Sequence, residues 1–194
     1  MYSMLVVGVL LLFGVIGLIA YLVGTYNTFV RLSNNIDKGW SNIDVILKQR
    51  HDELPKLVDV CNSYMTHERE TLEAVTKARA AYSQSLTVDE KARAENRLTT
   101  ALGTLFAVAE QYPELKANQE FLHVQQRISV LENTIADRRE FYNDSVNLYN
   151  IQIEQIPANL VAQQAGYRAR PLLEVPHAER QDVKLDFANR VKRA

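Results

Sequence analysis

Four groups of side chains in this sequence have the types and spacing from which chemistry is built. The first is K-Q-R-H-D-E-L-P-K-L-V, residues 48–58, where His51, Asp52 and Glu53 stand just ahead of Pro55. A histidine beside two carboxylates is the raw material of general acid–base catalysis. The letters H-D-E-L also match a retention signal, but that signal is read at a free carboxyl terminus and here it lies deep inside the chain. The second group is Glu120-Phe-Leu-His123, one Glu-x-x-His pair of the kind that di-metal helical bundles use twice. The sequence has no second pair, and Thr71 stands four beyond His67, where an H-E-x-x-H zinc helix needs its other histidine. The third is Cys61, a lone cysteine, which excludes an intramolecular disulfide and a cysteine metal cluster. It falls on an apolar stripe, so it reads as a small buried hydrophobe. The fourth is Tyr142-Asn143 and Tyr149-Asn150, a Tyr-Asn pair repeated after seven residues and therefore on one side of a helix. Buried amides must find hydrogen bonds, since an unpaired buried polar group costs about 1–3 kcal/mol, and the expectation is a polar network that sets helix register.

The elements around the first group decide its role. On a helix His51 and Pro55 are four apart, so the proline ring meets the His51 carbonyl and denies it a partner. The spacing predicts a break, with Asp52 as N-cap of a new helix, Glu53 and Pro55 in its first turn, and Arg50 and His51 at the negative end of the helix before. Each charged side chain then has an ordinary role at a helix junction, and the cluster reads as a joint rather than an active site. Glycine is nearly missing from the polar part of the chain, and neither a G-x-S-x-G elbow nor a phosphate-cradling loop occurs. No catalytic, cofactor-binding or metal-ligating residue is therefore assigned.

Charge is unevenly distributed. None of the 22 basic and 23 acidic side chains precedes Arg31, and the net charge of −1 lacks the basic excess of a general nucleic-acid binder. Residues 5–23, LVVGVLLLFGVIGLIAYLV, are uncharged and as a helix would span roughly 28 Å, the thickness of a bilayer's hydrocarbon core. A cleaved leader would carry basic residues before the run and small residues at a cleavage site, and neither is present. The expectation is a single membrane span within residues 1–25. Arg31 and Lys38 follow it, partly offset by Asp37 and Asp44, with no basic residue ahead, and the expectation is an amino terminus outside and the remainder in the cytoplasm. Ala20 and Gly24 form a small-xxx-small pair through which two such spans could meet.

Beyond the span, apolar residues recur at three and four. Phe29, Leu32, Ile36, Trp40, Ile43, Leu47 and Leu54 make one stripe, and Leu54, Leu57, Cys61, Tyr64, Leu72, Val75, Ala78 and Tyr82 a second. Ala94, Leu98, Ala101, Leu102, Leu105 and Ala109 make a third, and Leu115, Phe121, Val124, Ile128, Leu131, Ile135, Tyr142, Val146, Tyr149 and Ile153 a fourth. With a capping box at Thr87–Glu90, breaks at Ser83–Thr87 and Tyr112–Pro113, and a stop at Pro157, this predicts helices over about 26–51, 54–82, 88–111 and 114–156. Short connections make them an antiparallel, up-down four-helix bundle over residues 26–157, an all-α fold. Residues 158–194, with Gly166, Pro171 and Pro176, read as an irregular tail, partly docked or disordered, ending in the basic Arg190, Lys192 and Arg193.

The sequence resembles the LemA family of bacterial membrane proteins. The likeness lies in YNTFVRLSNNIDKGWSNIDVILKQRHDELPKLV (residues 26–58), Tyr64-Met-Thr-His-Glu68, Val75-Thr-Lys-Ala-Arg79, Tyr112-Pro-Glu-Leu-Lys-Ala-Asn118, Leu131-Glu-Asn-Thr-Ile-Ala136 and Tyr142-Asn-Asp-Ser-Val146, in order over residues 26–187. The resemblance implies a single-pass membrane protein with an antiparallel helical bundle, no established reaction and no catalytic residues to carry over. It also implies aromatics after Pro171, where Leu172 and Leu173 stand instead. The expectation is a non-enzymatic interaction or scaffold module. It would contact lipid through residues 5–23 and unknown protein partners beyond, a second copy among them, with no nucleic acid, cofactor or small-molecule substrate. The competing expectation is an enzyme or metal protein built on carboxylates with His67 or His123.

Overall fold

The apolar run and the first amphipathic stripe belong to one helix. The structure, a computed structural model, describes residues 2–173, and α1 occupies Tyr2–Asn62 without interruption. Its first part is as apolar as a membrane span, with a mean hydropathy of 2.8 over its most apolar 18 residues, none of them buried. From Phe29 onward one stripe is buried: Phe29, Ile36, Ile43, Leu47, Leu54, Leu57 and Cys61.

This overturns the expected break at residues 51–54. Pro55 lies inside α1 with its side chain exposed, and Asp52 caps nothing. A proline within a helix costs about 3 kcal/mol. Burying one leucine returns about 1.5–3 kcal/mol, and Leu47, Leu54 and Leu57 stay in one register only if the helix runs on through Pro55. Burial on both sides of the proline therefore outweighs the local break.

The remaining helices are α2 (Arg69–Gln84), α3 (Val88–Ala109), α4 (Pro113–Lys116), α5 (Gln119–Glu154) and α6 (Ala158–Ala165). No strand occurs among the described residues. α3 starts with the expected capping box: the Thr87 hydroxyl accepts from the Glu90 amide and the Glu90 carboxylate accepts from the Thr87 amide. The helix expected over 114–156 is instead two. α4 ends at Lys116, and Asn118 opens α5 by accepting from the amides of Glu120 and Phe121 at 2.9 and 3.0 Å. A second departure is α6, a helix where irregular chain was expected. Of the residues expected in the tail, Pro176, Arg190, Lys192 and Arg193 lie outside the described ones.

The described chain divides into two compact units, residues 2–59 with 118–173, and residues 60–117. In the first, α1 and α5 meet at Phe29 with Tyr149, Gly39 and Trp40 with Tyr142, Arg50 with Glu132 and Glu53 with Arg127. Residue numbers climb along α1 as they fall along α5. Gly39 admits the Tyr142 ring, whose Cδ2 would lie 3.6 Å from a Cβ at that position. In the second unit α2 packs on α3, and Leu72, Val75 and Ala78 of α2 and Ala94, Leu98, Leu102 and Leu105 of α3 are buried.

Candidate functional site: an asparagine clasp on α5

α5 carries Tyr142, Asn143, Tyr149 and Asn150, and the two tyrosines are buried toward α1. Seven residues along a helix rise about 10.5 Å, and three residues of extended chain cover roughly 10 Å. Two asparagines seven apart therefore match peptide units three apart, and the chain beyond α6 uses that match. Asn150 accepts from the Arg170 amide through Oδ1 at 2.9 Å and donates from Nδ2 to the Arg170 carbonyl at 2.8 Å. Asn143 treats Leu173 in the same way, at 2.8 and 3.1 Å. Each side-chain amide does for one residue what a neighbouring strand would do. This replaces the register role expected of the two amides: their partners are the backbone of a returning segment.

α6 and Gly166 aim that segment. Gly166 has φ 77, the left-handed region in which glycine meets no Cβ penalty, and its amide donates to the carbonyls of Ala162 and Gln163. The Tyr167 amide donates to the Ala162 carbonyl at 2.9 Å, so the helix closes and the chain turns away. Tyr167 then enters an aromatic cluster, its ring centroid 5.1 Å from Phe29, 6.3 Å from Tyr26 and 6.4 Å from Tyr149. Burial, with Tyr26 beside it, pushes the Tyr167 phenol above its ordinary pKa.

Arg170 is fixed at both ends. Its guanidinium donates to Asp37 Oδ1 at 2.6 Å and to Ser33 Oγ at 2.9 Å, and lies 5.7 Å from the centre of the Tyr149 ring. Burial opposes its charge, yet the Asp37 hydrogen bond and charge raise its pKa above the usual guanidinium value. Pro171 follows, and Leu173 is buried where the family pattern implied an aromatic. Sequence reasoning passed over Ser33, Asp37 and Arg170. The one signal for the first two was their spacing of four on α1.

The other groups are placed as follows. His51 and Arg50 are buried on α1, Arg50 donating to Glu132 at 3.2 Å, and Glu53 accepts from Lys56 at 2.9 Å and Arg127 at 3.2 Å. The Lys56 hydrogen bond, joined by Arg127, holds the Glu53 carboxyl below its ordinary pKa. The cluster is thus not a joint: Arg50 pairs with Glu132 and Glu53 with Arg127, which ties α1 to α5. Glu120 and His123 are exposed on the first turns of α5, and His67 is exposed between α1 and α2. Among the described residues no three His, Cys, Asp or Glu side chains gather in a metal-binding group. Cys61 is buried at the end of α1, and burial pushes its thiol up to about 11. A groove of about 470 Å³ between α2 and α3 is lined by alanines and threonines with Lys77 and Arg97, and no paired acid and base.

These features define, over the described residues, a helical protein without strands, whose apolar amino-terminal helix is long enough to cross a membrane and whose α5 asparagines hold a returning segment. The chain belongs to the LemA family, whose family model matches residues 39–187. It is 31% identical over 163 residues to Protein LemA of Metamycoplasma hominis, covering 83% of this chain and 74% of that one. It is also 26% identical over 193 residues to Magnetosome protein MamQ 1 and to Magnetosome protein MamQ 2 of Paramagnetospirillum magneticum, covering 86% of this chain and 70% of each.

Proposed function

We propose that this LemA-family chain is a single-pass membrane protein whose polar part is a non-enzymatic interaction or scaffold module on the cytoplasmic face. In this reading α1 crosses the bilayer over residues 5–23 and continues beyond it into an antiparallel helical bundle. The bundle meets protein partners, a second copy of the chain among them. The observation that carries the reading is the continuity of α1. One helix passes from a run with every side chain open to its surroundings into a stripe buried against α5, so the anchor and the folded part are one stiff rod. Arg31 and Lys38 follow the run and support a cytoplasmic bundle. The non-enzymatic assignment rests on where the reactive side chains went: Glu53 into ion pairs, Cys61 into a buried site that raises its pKa.

The test uses the full chain in its cell membrane. With Gln84→Cys on the exposed end of α2, a membrane-impermeant maleimide labels the protein only after the cells are permeabilised if the bundle is cytoplasmic. Labelling in intact cells reverses the orientation, extraction by alkaline carbonate removes the anchor, and stoichiometric iron, zinc or manganese in the purified protein replaces the scaffold reading with a metal one.

A further inference from the structure

The register between α1 and α5 fixes how far the end of α5 reaches toward the apolar run. Phe29 faces Tyr149, and along α1 Phe29 lies about 9 Å past Val23, the last residue of that run. From Tyr149 to Glu154, α5 travels about 7.5 Å back toward the run. The corner formed by Gln155, Ile156 and Pro157 therefore stands at the level of Val23. The far end of α6 is held near the same level, because Tyr167 packs on Tyr26 and Phe29. All of α6 is thus confined to a layer within about 9 Å of the end of the apolar run.

The side chains this corner presents are those of an interface. Ile156 is 85% exposed and Leu160, one turn along, is 64% exposed, while Ala158 and Ala162 face inward and are buried. The largest apolar side chain of α6 thus points away from the protein, the reverse of a water-facing helix, which buries its apolar face. Gln163 and Gln164 are exposed beside it, and Tyr26, 47% exposed, supplies an amphipathic ring at the same level, where membrane proteins concentrate tyrosine.

We infer that the α5–α6 corner is a second membrane contact: Ile156 and Leu160 insert into the headgroup and upper acyl layer of the bilayer that α1 crosses, beside the exit point of the anchor. This rests on reading α1 as the span. The occupant is lipid because the corner lies at the depth where the apolar run ends and is joined to it by one continuous helix. The contact fixes the tilt of the rod. With α1 alone the rod is free to lean in any direction; with the corner seated, the α5 side faces down toward the membrane.

Depth measurement on the full chain in vesicles of phosphatidylcholine and phosphatidylglycerol tests this. Nitroxide labels are placed by Ile156→Cys and Leu160→Cys, all on exposed positions, with Val45→Cys as the water control about 33 Å beyond Val23. Leu12→Cys inside the run is the lipid control, and the unsubstituted chain reports any labelling of buried Cys61. The expected result is a loss of collisions with a water-soluble nickel chelate and a gain with oxygen at 156 and 160, shifted from Val45 toward Leu12. Labels at 156 and 160 matching Val45 while Leu12 is lipid-like overturn the seating alone. A water-like Leu12 overturns the anchor and the seating with it. Dipolar broadening between 156 labels on separate chains, without the oxygen gain, overturns it in favour of a second copy.

Discussion

Asn150→Ala isolates the clasp from everything else that holds the segment after α6. The substitution removes two hydrogen bonds, the donation to the Arg170 carbonyl and the acceptance from its amide, at 2.8 and 2.9 Å. Each contributes about 1 kcal/mol net, because the freed backbone groups can turn to water. The expected loss is about 2 kcal/mol in the docking of residues 167–173, or roughly 30-fold in the closed-to-open ratio at Arg170. Hydrogen exchange of the full chain in detergent reads this directly. The amides of Arg170 and Leu173 are the clasped ones and Pro171 has none. Asn150→Ala should speed exchange at Arg170 by about 30-fold, Asn143→Ala should do the same at Leu173, and the double variant should show both losses added, the sites being about 10 Å apart. The global melting temperature should fall little, since Phe29, Tyr149 and the rest of the α1–α5 seam are untouched. If Asn150→Ala leaves Arg170 exchange within about twofold of the parent, the clasp is not what holds the segment. If it lowers the global melting temperature while relative protection at Arg170 is unaltered, the asparagine sets helix register after all.

Three further outcomes follow from particular residues. Pro55→Ala supplies a backbone N–H at position 55 and removes the ring from the preceding turn, and should stabilise the full chain by about 1–3 kcal/mol in denaturant titration, a gain that is absent if α1 bears no cost at Pro55. Cys61, with a thiol pKa raised by burial to about 11 from 9.0, should react with a disulfide reagent about 100-fold more slowly than the same thiol in urea; equal rates would place it in water. The Glu90 carboxyl is held below 4.5 by the Leu86 and Thr87 amides, so its contribution is fully present above the unfolded pKa and is lost as pH falls through the lower folded value. Glu90→Gln should therefore flatten the acid limb of the stability profile, and an unchanged limb would show that the capping box carries no linked proton.

Much of the helical content was legible because its signals are local. The apolar run needs only length and absence of charge, the stripes need only a period, and the Thr87–Glu90 box closes within four residues. The same locality explains the misses. Asn118 is a good N-cap, yet the apolar stripe from Leu115 to Phe121 hid the break between α4 and α5. Arg170 lies far in sequence from Ser33 and Asp37, so nothing near any of the three announces that they meet.

By itself the sequence determined that this chain is helical, that its opening residues suit lipid, and that it is a LemA-family member, since each depends on side-chain character repeated along the chain. Tertiary structure alone decided whether Pro55 ends a helix, because the answer weighs a fixed local penalty against leucines buried on either side of it. It alone decided what Asn143 and Asn150 grip, because an amide side chain bonds whichever backbone is brought to it. The partner arrives only after α6 and Gly166 have turned the chain around.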